Sequence, residues 1–331
     1  MKSRIAIMGL TLMATAPALA HELPVGDGKI STEPKAGYLF SCQSRFTGGG
    51  AFTTGAWFHG KTWDPTQKPH VQGEVMWPNA RFYTTAEGDR TRVESNGLPV
   101  GEPTGNFPIA RTDPAYQYDR NPNSIKQQQI SFAIPLEPEL APTATCLPMG
   151  TIGFTNTGVM IYNAVDDAGR DAAAHEIQDL CNGHPQQQGQ YHYHSSSPCL
   201  PGADQNAQVG WALDGFPIFG KRDASGRELT NADLDGCHGR AEEVSVNGRR
   251  YAYAYRLTDE YPYTIGCFKG AVDRATLQSL MGRMGPGGMP GGQMGGPPPG
   301  GGRMPPPGGP VDGPWPPPHG GALPPPWEQN R

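Results

Sequence analysis

The chain has 331 residues, with 26 Lys and Arg against 31 Asp and Glu for a net charge of −5, a balance that argues against a nucleic-acid partner. The apolar run at its start is too short to span a bilayer, and six cysteines suit an oxidising compartment better than the cytosol.

Residues 1–20, "MKSRIAIMGLTLMATAPALA", have the layout of a cleavable secretory signal: basic residues, an apolar stretch, then small residues at the cut. Losing Lys2 and Arg4 leaves 24 basic against 31 acidic residues, a net of about −7, and a mature chain with no transmembrane segment. Cleavage after Ala20 exposes His21, whose amine and ring together suit copper with a partner such as His59 or His70. The plainer reading is a flexible leader over residues 21–35. Residues 21–145 are rich in Gly, Pro, Thr and aromatics without a helical period, so they read as a β-rich part of the domain.

Residues 146–275 hold an internal repeat over 153–199 and 210–267. "GFTNTGVMIYNAVDDAGRD" from Gly153 aligns without a gap with "GWALDGFPIFGKRDASGRE" from Gly210. Each copy reads as strand, tight turn, strand and Asp-x-x-Gly turn. A helix is expected next in copy one, capped by Asp171, with Ala173, Ile177, Leu180 and Cys181 on one face and a stop at Gly183 and Pro185. Copy two offers a shorter equivalent from Thr230 to Cys237. A Cys beside a Gly, an alternating aromatic strand ("YHYH" or "YAYR") and a second Cys close each copy. If each copy closes its own loop, the 15 pairings open to six cysteines reduce to Cys181–Cys199, Cys237–Cys267 and Cys42–Cys146. The tail, taken as 276–331, is Gly/Pro/Met-rich and expected to be disordered. Met281, Met284, Met289, Met294 and Met304, with His319, are soft ligands that suit Cu(I) weakly.

"DLCNGHPQQQGQYHYH", "ALDGFPIFG" and "TDEYPYTIGCFKG" resemble the bacterial YHYH-domain proteins over residues 150–270. The resemblance implies a secreted or periplasmic domain and supplies no reaction.

A strand turns alternate side chains to opposite faces, so His192 and His194 share one side and Tyr191 and Tyr193 the other. His184, at the end of the expected helix, is placed nearby by the Cys181–Cys199 bridge and the turn around Gly189. Three histidines suit zinc or copper with an open position for water or substrate. The competing reading is an amphipathic strand whose histidines pack and hydrogen-bond locally. Copy two keeps the tyrosines but has Ala254 and Arg256 at the histidine positions, so the tyrosines read as structural and the histidines as a site confined to copy one. No acid follows "YHYH" until Asp204, as a cupin-like pair would require.

His238 is a further candidate ligand from the copy-two loop. Asp179 and Glu176, near the helix end, are candidates to orient a ligand or act as a base, against a solvated helix face. Asp214 reads first as a turn former. Ser195, Ser196 and Ser197 are rejected as triad members because strand neighbours do not reach one another in that geometry. No GxSxG, Walker or dinucleotide-binding motif is present.

The expectation is a mainly β, disulfide-stabilised domain of the periplasm or exterior, with a few short helices and a duplicated hairpin-helix-strand unit. It binds Zn or Cu through His184, His192 and His194. Two alternatives remain open: a zinc hydrolase or lyase at the same site, and a module binding a glycan, small molecule or protein in which the histidines are structural.

Overall fold

The computed structural model describes residues 22–281. The expected signal over residues 1–20, His21, and the tail with Met284, Met289, Met294, Met304 and His319 lie outside the described residues.

Short strands open the chain: β1 (Leu23–Pro24), β2 (Ile30–Ser31), β3 (Leu39–Phe40), β4 (Phe58–His59) and β5 (Thr62–Trp63). An antiparallel meander follows, β6 (Phe82–Glu87), β7 (Arg90–Ser95) and β8 (Ile130–Pro135), then β9 (Leu140–Thr145). The central sheet takes its strands from the next stretch: β10 (Thr151–Thr155), β11 (Met160–Tyr162), β12 (Gly183–Pro185), β13 (Tyr191–Tyr193), β14 (Gln208–Ala212), β15 (Pro217–Phe219), β16 (Gly239–Val246) and β17 (Arg249–Arg256). β18 (Phe268–Gly270) returns to pair with β9. The α-helices are α1 (Ala172–His175) and α2 (Arg274–Met281), so the mainly β expectation holds.

The central sheet runs β12-β13-β11-β10-β14-β15-β17-β16, and its two halves carry the same pairings in the same register. Gly153 faces Ile161 across β10 and β11 as Gly210 faces Ile218 across β14 and β15, with one irregularity at the same place in each. Ile161 faces Tyr193 in a parallel pair as Ile218 faces Tyr255. Gly183 faces Tyr193 as Gly239 faces Tyr255. The halves meet where β10 and β14 pair antiparallel, Phe154 opposite Trp211. One core unites both parts of the chain, with Leu39, Trp57, Val93 and Phe132 packed among residues that include Phe154, Ile161, Ile218 and Tyr253.

The disulfides are Cys42–Cys146, Cys181–Cys199 and Cys237–Cys267. That is the pairing in which each repeat closes its own loop.

Three expectations need correction. The helix after Asp171 is a single turn, although Asp171 caps it as expected by accepting from the Ala174 amide. Continuing it would need backbone groups that tertiary partners have taken. The Ala173 carbonyl accepts from Lys68 Nζ, the Ala174 carbonyl from Trp57 Nε1 at 2.9 Å, and the Ile177 amide donates to Asp119 Oδ2 at 3.0 Å. The chain is therefore extended from Glu176, and Leu180, expected on the buried face, is 55% exposed. Gly183 and Pro185 do not stop a helix; they lie in β12, at the sheet edge, where a proline costs no ladder hydrogen bond. In copy two the expected helix from Thr230 to Cys237 shrinks to a 3-10 turn, Asn231–Asp233, in which Asp233 Oδ2 accepts from the Thr230 amide.

The third correction concerns the tail. The stretch expected to be disordered from residue 276 begins as part of α2, anchored by Leu280 in the core and by Thr276 Oγ1 donating to the Ala133 carbonyl at 2.6 Å.

Candidate metal centre

β12 and β13 form a hairpin closed by a turn in which the Gly189 amide donates to the Gln186 carbonyl. Gly189 has φ 88, a left-handed value that a side chain would strain. His184 stands directly opposite His192 across the hairpin, so the two imidazoles project on one face. This corrects the expected placement of His184 at a helix end. His194 follows on the same side, and the ring centroids lie 4.5, 4.8 and 5.4 Å apart. One potential ligand atom from each histidine lies within 4.8 Å of the other two, the one such three-residue group found among the described residues.

The rings are buried and oriented by the backbone. His192 Nδ1 lies 3.2 Å from the Gln190 carbonyl and His194 Nδ1 2.5 Å from the Asn163 carbonyl. Their Nε2 atoms face each other at 3.0 Å. Tyr162 stacks on His192 at 3.9 Å between centroids. Neither nitrogen of His184 has a hydrogen-bond partner; a shared ion about 2.0–2.1 Å from each nitrogen would require the three rings to close up from this spacing.

Glu176 joins them. Its Oε2 lies 3.4 Å from His184 Nε2 and 3.5 Å from His194 Nε2 and makes no hydrogen bond. The expected solvated helix face is thus replaced by a buried carboxyl, pointed at the histidines because the one-turn helix releases the chain at this residue. Burial holds His184 and His192 well below the ordinary histidine range and lowers His194 to about 4. Burial, and then the nearby Asp119, Asp166 and Asp167, push the Glu176 carboxyl well above the ordinary carboxylate range, against a smaller opposing influence from Lys68. Burial disfavours both the cationic forms of the rings and the anionic form of the carboxyl; a metal ion placed here would favour the carboxylate and keep the rings neutral.

Asp179 is not part of this group. It sits on the tyrosine face, where its carboxylate accepts from the amides of Gly105, Cys181 and Gly183 at 2.8, 3.0 and 3.1 Å and from Tyr191 OH at 2.9 Å. Copy two repeats the arrangement: Asp235 accepts from the amides of Cys237 and Gly239 and from Tyr253 OH. The shared signal, "DLCNG" and "DGCHG", was available in the sequence and marks a turn. Tyr193 OH donates to Glu102 Oε2 at 2.6 Å, and Tyr255 OH to Asp214 Oδ2 at 2.5 Å. Each tyrosine of the alternating strands therefore anchors an acid, buried at Asp179, Glu102 and Asp214 and part-exposed at Asp235.

His238 belongs to the other half of the sheet. Its Nε2 meets Thr258 Oγ1 at 3.1 Å, burial lowers it to about 4, and its φ of 67 matches the left-handed 61 of Asn182, its counterpart before the glycine of the same turn in copy one. Asp214 Oδ1 accepts from the Phe216 amide as a turn residue should, while Oδ2 also accepts from the amides of Lys269 and Gly270. His59 pairs with Glu22, and Ser197 Oγ accepts from the Cys199 amide.

The site holds one residue that sequence spacing did not assign as a ligand, Glu176, and two carbonyls, of Asn163 and Gln190, that side-chain patterns do not encode. Residues 131–229 match the family described as YHYH protein. No curated protein and no solved structure matches the chain.

Proposed function

We propose that this chain, whose residues 131–229 carry the YHYH protein domain, is an exported protein that binds one transition-metal ion, zinc or copper, through His184, His192 and His194. The signal-like residues 1–20 and the three disulfides, which suit the periplasm or the outside of the cell, support export.

The carrying observation is a count of protons. His192 and His194 make three close contacts through their nitrogens: one to each carbonyl and one to each other. Two neutral imidazoles carry two ring protons, so one contact always brings two lone pairs together. A third proton would make one ring cationic, which burial opposes. A cation between the Nε2 atoms removes the conflict, leaving both Nδ1–H groups to donate to the carbonyls, the usual support of a metal-bound histidine. Neutral imidazoles beside a carboxyl suit zinc or copper over a hard cation such as magnesium.

The duplicated scaffold supports the same reading. The halves share pairings, disulfide placement and the Asp-tyrosine turn, and differ at the histidine positions, as a site specialised in one copy of a duplicated unit would.

Elemental analysis of protein purified from the periplasm and dialysed against trace metal tests the proposal. We expect about one equivalent of zinc or copper in wild type and less than a tenth of that in His192→Ala and His194→Ala. Equal, negligible metal in all three under replete conditions would contradict it.

A further inference from the structure

The half of the sheet without histidines keeps a buried cation where they stand. By strand register Arg256 occupies the position of His194, Ala254 that of His192 and Arg240 that of His184. The Arg256 residue is 1% exposed. Its Nε and Nη2 each lie 2.6 Å from Glu242 Oε1, and its Nη1 donates to Asn206 Oδ1 at 2.8 Å and to the Arg222 carbonyl at 3.0 Å. The guanidinium lies 4.9 Å from the centre of the Phe219 ring, and Phe219 corresponds to Tyr162, whose ring covers His192. On this face, copy two holds two arginines on one carboxylate, the buried Arg256 and the part-exposed Arg240, whose Nε lies 3.6 Å from Glu242 Oε2, with an aromatic cover. Copy one holds three uncharged bases, one carboxyl and an aromatic cover.

The carboxyl is placed to complete that comparison. Donors 2.0–2.1 Å from a tetrahedral zinc stand about 3.3 Å from one another, and Glu176 Oε2 lies 3.4 and 3.5 Å from two of the histidines. It is buried, satisfied by no other protein group, and reaches the site from a different element than the hairpin. The side chains of His184, His194 and Glu176 expose only 5, 7 and 12% of their surface, so a substrate has little to approach.

We infer that Glu176 is the fourth metal donor and that the site is closed and structural, its metal ion doing in one half of the sheet what the Arg256 guanidinium, paired with Glu242, does in the other. The inference rests on the metal reading above and departs from both roles considered for Glu176, orienting a ligand and acting as a base. The carboxylate ties the chain after α1 to the edge hairpin, so the ion fastens β12 and β13, the end of the sheet that lacks the long β16–β17 pair.

Cobalt(II) titrated into the full metal-free chain is the test. Wild type is expected to give the intense visible absorption of four-coordinate cobalt, unchanged by azide, which probes for an open coordination position. Glu176→Gln, checked for folding by circular dichroism, is expected to bind cobalt roughly a hundredfold more weakly and to shift that absorption. Cobalt bound with the weak absorption of five or six donors, a spectrum displaced by azide, or an affinity within about threefold of wild type in Glu176→Gln would each overturn the inference while leaving metal binding intact. Wild-type protein that binds no cobalt would overturn the metal reading itself. The azide experiment needs no variant, so it decides the question even if Glu176→Gln does not fold.

Discussion

Stripping the metal from the wild-type protein with a chelator is expected to lower the midpoint of thermal unfolding by roughly 10 °C, and zinc should restore it. The reasoning is mass action. A ligand that binds only the folded chain stabilises it by about 3 kcal/mol when its free concentration stands a hundredfold above its dissociation constant. A domain of this size moves by about 2–4 °C per kcal/mol. The structure gives two local sources for the gain: a pair of imidazoles with one proton too few at 3.0 Å, and a buried carboxyl oxygen, Glu176 Oε2, with no hydrogen-bond donor. Both are relieved by one cation. His194→Ala should unfold at the same temperature with and without chelator, because it has lost the response and not merely the fold. Calorimetric scans that show no dependence on chelator in wild type would count against the prediction.

Asp179→Ala is expected to cost at least about 4 kcal/mol of stability. Four buried donors lose their acceptor together, the amides of Gly105, Cys181 and Gly183 and the hydroxyl of Tyr191, and each unsatisfied buried donor costs about 1–3 kcal/mol. The Gly105 contact also ties residues from the first part of the chain to the hairpin turn, so the damage spreads beyond one loop. Urea denaturation followed by tyrosine and tryptophan fluorescence measures the loss. A decrease below about 1 kcal/mol would show that Asp179 is not the turn's anchor and would reopen its reading as a functional acid.

Much of the fold was legible because it is repeated. The gapless alignment from Gly153 and Gly210 identified both hairpins, and matching the ends of the copies identified Cys181–Cys199 and Cys237–Cys267. Alternation in "YHYH" separated the histidines from tyrosines that anchor Asp179 and Glu102 on the opposite face. What was not legible depends on partners distant in sequence. A capped run of alanines reads as a helix, and only the arrival of Lys68, Trp57 and Asp119 at its backbone groups shows why it ends after one turn. That early end is what aims Glu176 at the histidines and lets the chain reach β12, where His184 becomes a cross-strand neighbour of His192. The site was therefore half visible: the ligand types were in the motif, while the fourth donor followed from a helix that the sequence favours and the tertiary structure cuts short.

The central claim is that a metal ion draws the ring nitrogens of three histidines together. Long-range proton–nitrogen correlation spectra of the protein labelled in its histidines, recorded before and after one equivalent of zinc, test it most directly. The account predicts that His192 and His194 keep protonated Nδ1 atoms throughout, that their Nε2 signals move to the range of metal-bound nitrogen on zinc addition, and that one nitrogen of His184 moves with them while His238 does not. Spectra in which the three rings ignore zinc, or in which His192 and His194 bind it through Nδ1, would contradict it.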